Sequence, residues 1–219
     1  MNTEGASVSQ GEATRFPMVD ESARKPRVDA ERNRERLLAT AKASFAKNGT
    51  GASLEEIARN TGVGIGTLYR HFPNRDALVA AVYRNETEQL TTAATKLSRA
   101  HPPLEALRRW MNLFVDYMAT KKGLYSVLNA LPDGPTALYA DTTTQMTEAL
   151  RMLVDRAVDS GEATVDVDAL DLLRAVAGVS QGGAGDDWVK NAKKVARILV
   201  AGIAVAPRPK KTARRRRRK

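Results

Sequence analysis

Apolar residues along this chain recur every three or four positions, which places them on one face of a helix, and no strand-like alternation persists. Leu37, Leu38, Ala41 and Phe45 form one such stripe with arginines opposite, and the spacing predicts a helix over 29–47 that Asn48 and Gly49 stop. Ser53 opens a short second helix, and Glu56 three residues on completes a capping box in which each side chain satisfies a free amide of the first turn. Gly62 ends that helix, a third short one follows to Phe72, and Pro73-Asn74 breaks the chain. A longer helix from about Asn74 carries Leu78, Val79, Val82 and Tyr83, then Leu90 and Leu97. His101-Pro102-Pro103 marks a subdomain break. Beyond it the pattern predicts helices over 104–120, 124–131, 136–159, 168–180 and 187–205. Gly123, Pro132-Asp133-Gly134-Pro135, Ser160-Gly161 and the glycines of 182–185 punctuate them. The fold class is all-α, with no internal repeat.

Charge changes this picture through its placement. The net charge is +10, but residues 1–23 carry −3, residues 24–75 carry +6, residues 76–206 carry −2 and residues 207–219 carry +9. A near-neutral body with a basic head points to a polyanion partner at that head, unless the charge serves solubility alone. Residues 1–23 mix Gly, Ser, Thr and Glu with few apolar groups and read as a disordered leader without the apolar core of a signal peptide. The basic tail of 207–219 cannot bury apolar surface and reads as disordered; it either adds salt-sensitive, sequence-independent affinity for DNA or does little beyond solubility. The expected organisation is a leader (1–23), a head (24–96), a larger helical domain (97–206) and the tail (207–219).

The head carries the most informative stretch, 53–72. Two short helices can cross steeply at a tight turn when a small residue lies at the crossing and the turn tolerates a left-handed backbone. Ala58 and Gly62 meet those needs, while Leu54, Ile57, Val63 and Leu68 can seal the pair. An ordinary helical hairpin satisfies the same sterics. The chemistry of the second helix separates the two: Thr67, Tyr69, Arg70 and His71 crowd there and Arg75 follows, all able to donate to phosphates or base edges. A plain solvated face accounts poorly for an exposed Tyr beside an Arg.

The run Gly66-Thr67-Leu68-Tyr69-Arg70-His71-Phe72-Pro73-Asn74-Arg75-Asp76-Ala77-Leu78, preceded by Ile57-Ala58 and Gly62-Val63, closely resembles the signature of the TetR family of bacterial transcription factors. The match covers about 30–90; the second half resembles the family only in architecture. The resemblance implies an N-terminal helix-turn-helix DNA-binding domain, at about 53–72, and a C-terminal helical domain for effector binding and dimerisation. It puts Tyr69, His71 and Arg75 on phosphates of double-stranded operator DNA, with Ile65, Thr67 and Arg70 facing the groove. Ser53 would cap the second helix, whose N-terminal amides approach a phosphate. Leu68 and Phe72 would be core. Gly64 stands where many members have Ser, at a cost of only a few tenths of a kcal/mol, and Arg75 where Lys is usual. With Gly64, Ile65 and Gly66 in place few side chains remain to read bases, so DNA shape carries part of the preference. Arg24, Lys25 and Arg27 either reach a neighbouring phosphate or minor groove or are solvated linker charges.

In the second half Trp110, Met111, Phe114, Tyr117 and Met118 recur at helical spacing, with Tyr125, Leu128, Met146 and Met152 downstream. Such stripes usually pack a helical core. The resemblance adds a cavity for a small, mostly apolar effector, for which Trp110, Phe114, Tyr117, Tyr125 and Met146 are the expected lining. It also assigns the last two helices to a homodimer, where Ala175, Ala177, Gly178, Ala196 and Ala201 permit close approach and Leu172, Val176, Val179, Ile198 and Leu199 supply apolar area. The same pattern would serve an intramolecular core.

Other classes recede. The chain has no cysteine, and its only histidines are His71 and His101, so no thiolate or histidine-rich metal site is expected, nor a cofactor. No phosphate loop, G-x-S-x-G or H-E-x-x-H is present, and the glycines at 62, 64 and 66 follow no strand; an enzyme is not expected. No apolar run approaches the roughly 20 residues of a membrane span. The expectation is a cytoplasmic, nucleoid-associated repressor under effector control. Its rival is a sequence-tolerant nucleic-acid-binding scaffold driven by the basic tail.

Overall fold

The first helix, α1 (Glu21–Asn48), begins well before the stripe that announced it, because residues 21–28 carry no apolar periodicity to signal a helix. The computed structural model describes residues 21–181 and 187–205, with side chains for 29–179 and 187–205. Residues 1–20 of the expected leader, the side chains of Arg24, Lys25 and Arg27, the glycines of 182–185 and the tail lie outside the described residues, while 21–23, expected as the end of the leader, belong to α1. Leu37, Leu38, Ala41 and Phe45 of α1 are all buried, as the stripe requires. A single 3-10 turn (Gly49–Gly51) follows, then α2 (Leu54–Thr61), α3 (Ile65–His71) and α4 (Arg75–Ala100). Asn74 caps α4, its side chain accepting from the Ala77 amide at 2.8 Å.

The Pro102-Pro103 corner turns the chain into α5 (Pro103–Gly123), which packs along α4. Proline leaves the first turn of α5 without a side-chain cap, and the carboxylate of Glu162 fills the gap by accepting from the Leu104 amide at 2.9 Å. Arg156 donates to the His101 carbonyl at 3.2 Å across the same corner. The apolar core runs on through this corner without a gap. Short α6 (Tyr125–Asn129) buries Val127 and Leu128, and α7 (Thr136–Asp159), α8 (Ala169–Gln181) and α9 (Trp188–Ile203) complete the body. Helix α5 is its axis, touching α4, α7, α8 and α9. Trp110 of α5 is fully buried and its indole N–H donates to the Leu90 carbonyl of α4 at 2.9 Å, so no polar atom is wasted on burying the largest side chain. The end of α9 is pinned by an isolated antiparallel bridge between Ala163 and Ala204, with Val205 donating to the Glu162 carbonyl at 2.9 Å. Among the described residues there is no strand, and no helix is long and apolar enough to cross a membrane.

Candidate nucleic-acid interface and polar core

The geometry of 53–72 follows from three local decisions. Ser53 adopts an extended backbone and its Oγ accepts from the Glu56 amide at 3.3 Å, which starts α2. Only half of the expected capping box forms: the Glu56 carboxylate lies 3.7 Å from Arg59, and the Ser53 hydroxyl donates to Glu55 at 2.8 Å. Gly62 then takes φ +77°, the left-handed conformation that side chains resist, and its amide returns to the Ala58 and Arg59 carbonyls. Arg36 of α1 reinforces this turn by donating to the Thr61 carbonyl at 2.5 Å. Ala58 is buried at the crossing, and Leu54, Ile57 and Leu68 close the seam. The pair is a helix-turn-helix in shape, with Leu68 and Phe72 in the core.

That packing fixes which side of α3 faces out. Gly64, Ile65, Gly66, Tyr69 and Arg70 are exposed, Tyr69 by 44%, while Thr67 and His71 are half-buried. Arg70 donates to the Thr67 hydroxyl at 2.9 Å, and His71 leans on Phe72 with ring centroids 6.1 Å apart. A β-carbon added at Gly64 or Gly66 would meet no atom within 4 Å. Nothing inside the head therefore requires either glycine.

Arg75 and Ser53 both find partners within the head. Arg75, expected on a phosphate, turns its guanidinium into the head: it donates to Ala52 at 2.6 Å, Thr50 at 2.9 Å and Gly49 at 3.3 Å, and lies 5.2 Å above the Phe45 ring. The Gly49 carbonyl also accepts from the Ala52 amide at 3.3 Å, so the turn and the guanidinium share it. Ser53 caps α2 as expected, and it shares the start of that helix with Glu55, whose carboxyl is held below the usual range by a backbone amide and the Ser53 hydroxyl.

In the body, Trp110, Phe114, Tyr117 and Met146 are buried in the core. Tyr125 is not: it is 64% exposed, because Leu124, Val127 and Leu128 take the inward positions of that turn. The rings of Trp110, Phe114 and Tyr117 stack in succession along α5, with centroids 5.9 and 6.3 Å apart. Beyond Tyr117 the column meets a polar cluster that the apolar stripe concealed. Tyr83 Oη lies 3.1 Å from Thr142 Oγ1, and Thr87 Oγ1 lies 3.4 Å from Tyr117 Oη. The Tyr83 ring also stands edge-on to Tyr139 at 5.6 Å, and Lys121 Nζ sits 3.7 Å from the centre of the Tyr139 ring. Tyr139 Oη is buried without a hydrogen-bond partner. Burial raises the pKa of all three phenols, that of Tyr139 to about 12, and lowers that of the Lys121 ammonium. The sequence did hold a signal for this cluster: Tyr83–Thr87, Tyr117–Lys121 and Tyr139–Thr142 are each polar pairs three or four residues apart.

Comparison with known proteins adds independent observations. Residues 37–82 match the model for bacterial regulatory proteins of the tetR family, and residues 102–205 match the C-terminal domain of SbtR-like transcriptional regulators. The chain is 33% identical over 91 residues to the HTH-type transcriptional regulator UidR of Escherichia coli (strain K12), a match covering 41% of each protein. It thus spans about two fifths of the length of that curated relative. Among solved structures it is similar to the TetR transcriptional regulator SCO0520 from Streptomyces coelicolor, with a TM-score of 0.71 and 36% identity over 80% of this chain and 99% of that one. A TetR transcription regulatory protein from Mycobacterium vanbaalenii follows, with a TM-score of 0.68 and 33% identity over 82% of this chain and 99% of that one.

Proposed function

This chain belongs to the TetR family of transcriptional regulators, and from that premise we propose that it acts as a homodimeric repressor whose α3 enters the major groove of an operator and whose grip a small effector relaxes. The observation that carries the reading is the outer face of α3. Ile65, Gly66, Tyr69 and Arg70 present an apolar contact, an open backbone, a phenol and a guanidinium on one short exposed ridge. A groove rewards all four, through base methyls, close approach and phosphate or base-edge hydrogen bonds. Tyr69 and His71 are assigned to phosphates, Thr67 and Arg70 to the groove, and Gly64 and Gly66 to close backbone approach. Ser53 and Arg75 act by holding α2 and the 3-10 turn in place.

Dimerisation is supported by the outer surface of α8 and α9. Ala175 and Gly178 of α8 are exposed, as are Ala201 and Gly202 of α9 and Ile198, which is 68% exposed. Small residues around a large aliphatic knob suit close helix–helix approach across a two-fold axis. Two heads so joined would read half-sites about 34 Å apart. The effector is assigned to the α4–α5–α7 core beside Trp110, Phe114, Tyr117 and Met146.

The test is fluorescence anisotropy of the full chain on DNA upstream of its own reading frame against a scrambled duplex. The expected outcome is a preference of about a thousand-fold or more for the former. Equal affinity for both duplexes, abolished by deleting residues 207–219, would replace the repressor with a sequence-tolerant binder driven by the tail.

A further inference from the structure

The polar cluster between α4, α5 and α7 is costly to keep in an otherwise apolar body. Threonines there can bond their own helix: Thr142 donates to the Leu138 carbonyl at 2.8 Å, and Thr87 to the Tyr83 carbonyl at 3.3 Å. A phenol has no such escape. Tyr83 and Tyr117 find hydroxyl partners, but Tyr139 leaves its own buried and unpaired. Beside it, Lys121 is half-buried, and among the described residues no carboxylate pairs with it; its ammonium rests on the Tyr139 ring. A ring face is a weaker partner for a desolvated cation than a carboxylate is. One spare hydroxyl donor and one spare cation thus stand together at the end of the aromatic column.

We infer that this cluster is the recognition site for an amphiphilic monocarboxylate, whose charged end takes Lys121 and the Tyr139 hydroxyl while its apolar body lies toward Phe114 and Trp110. The inference rests on the effector reading above and narrows it from an apolar molecule to an acidic one. A single cation with neutral hydroxyls around it balances one negative charge; a phosphate dianion would remain half-compensated. From Lys121 to Trp110 is 11 residues of helix, or about 16 Å at 1.5 Å per residue, a span comparable with an extended chain of about ten carbons. Binding exchanges the ring contact of Lys121 for an ion pair and gives Tyr139 its missing acceptor.

Calorimetric titration of the full chain with matched probes tests this: decanoate against decanol, and 4-phenylbutyrate against 4-phenylbutanol. The expected result is tighter binding of each acid than of its alcohol, by about ten-fold or more, as for a hydrogen bond to a charged group. Lys121→Met should bring acid and alcohol to the same affinity. Tyr139→Phe should weaken the acids several-fold and spare the alcohols, and Lys96→Met, at an exposed lysine of α4, should change nothing. Alcohols that bind as tightly as acids would overturn the acidic class while leaving an apolar effector standing. An acid preference that survives Lys121→Met would overturn the site. Failure of all four probes to bind would overturn this inference and the apolar-effector reading together.

Discussion

Gly66 is the second residue of α3, and glycine weakens a helix by roughly 0.5–1 kcal/mol relative to alanine. A β-carbon there would touch nothing in the folded chain, so the head gains nothing from the glycine. The proposed reading supplies a reason outside the molecule: a methyl group would stand between α3 and the DNA backbone. Gly66→Ala is therefore expected to raise the unfolding midpoint while weakening operator binding by about ten-fold, that is by about 1.4 kcal/mol. Unfolding by urea and anisotropy on the operator check the two halves, and unchanged affinity would leave Gly66 unexplained. Arg75 makes the opposite case. With its guanidinium on three carbonyls and the Phe45 ring, Arg75→Ala should destabilise the head by about 1–3 kcal/mol. The slope of log affinity against log salt should stay put, whereas removing a side chain that neutralises a phosphate would lower it by about one. This residue also marks a limit of reading from sequence. Its charge and position beside the motif were visible, but where a long flexible side chain places its donors depends on which carbonyls the fold brings within reach. Tyr125 departs from expectation for a related reason: aromatic identity does not say which way a residue on a five-residue helix points.

At the scale of elements, α3 spans seven residues and is too short to stand alone, so packing by Leu68 and the Gly62 turn must hold it. Those determinants are local and few, which is why the helix-turn-helix was legible from Ala58, Gly62 and the aliphatic seam. The helix starts and stops were legible as well wherever a breaker stands, as at Asn48, Gly62, Pro73 and Gly123. The start of α1 was not, because polar helix carries no stripe. Nor was the cluster joining α4, α5 and α7, whose pairs announce themselves one helix at a time while their meeting depends on tertiary packing. That meeting has a titration signature. The phenols of Tyr83, Tyr117 and Tyr139 have folded pKa values raised above the ordinary 10, mainly through burial. As pH climbs past 10, the unfolded chain releases phenolic protons that the folded chain keeps, so stability is complete below pH 10 and declines above it. For Tyr139 the loss runs between pH 10 and about 12. Tyr139→Phe should make the fall in unfolding free energy over that window shallower, by up to one proton in the slope, measured by urea unfolding at successive pH values. An unchanged slope would mean that Tyr139 ionises as freely folded as unfolded.

The molecule as a whole poses the question that periodicity answers least well. Ile198 and Leu199 are adjacent aliphatics on α9, yet Ile198 is 68% exposed while Leu199 packs against the core. A sequence pattern cannot separate a side chain that seals its own fold from one that awaits a partner, since both interiors exclude water by the same physics. Coordinates show which of the two its own fold covers. An exposed isoleucine followed one turn on by Ala201 and Gly202 contributes nothing to its own core, and in the proposed dimer it would bury against its own copy. Ile198→Glu places like charges face to face at that axis without disturbing a buried position. The expected outcome is a monomer by analytical ultracentrifugation at micromolar concentration, with thermal stability of the subunit little changed apart from the dimer contribution. Operator binding should fall by orders of magnitude, because one recognition helix then holds one half-site and the second contact is no longer intramolecular. A variant that stays dimeric would move the interface off this face of α9; one that becomes monomeric yet binds the operator undiminished would break the link between pairing and recognition on which the repressor reading depends.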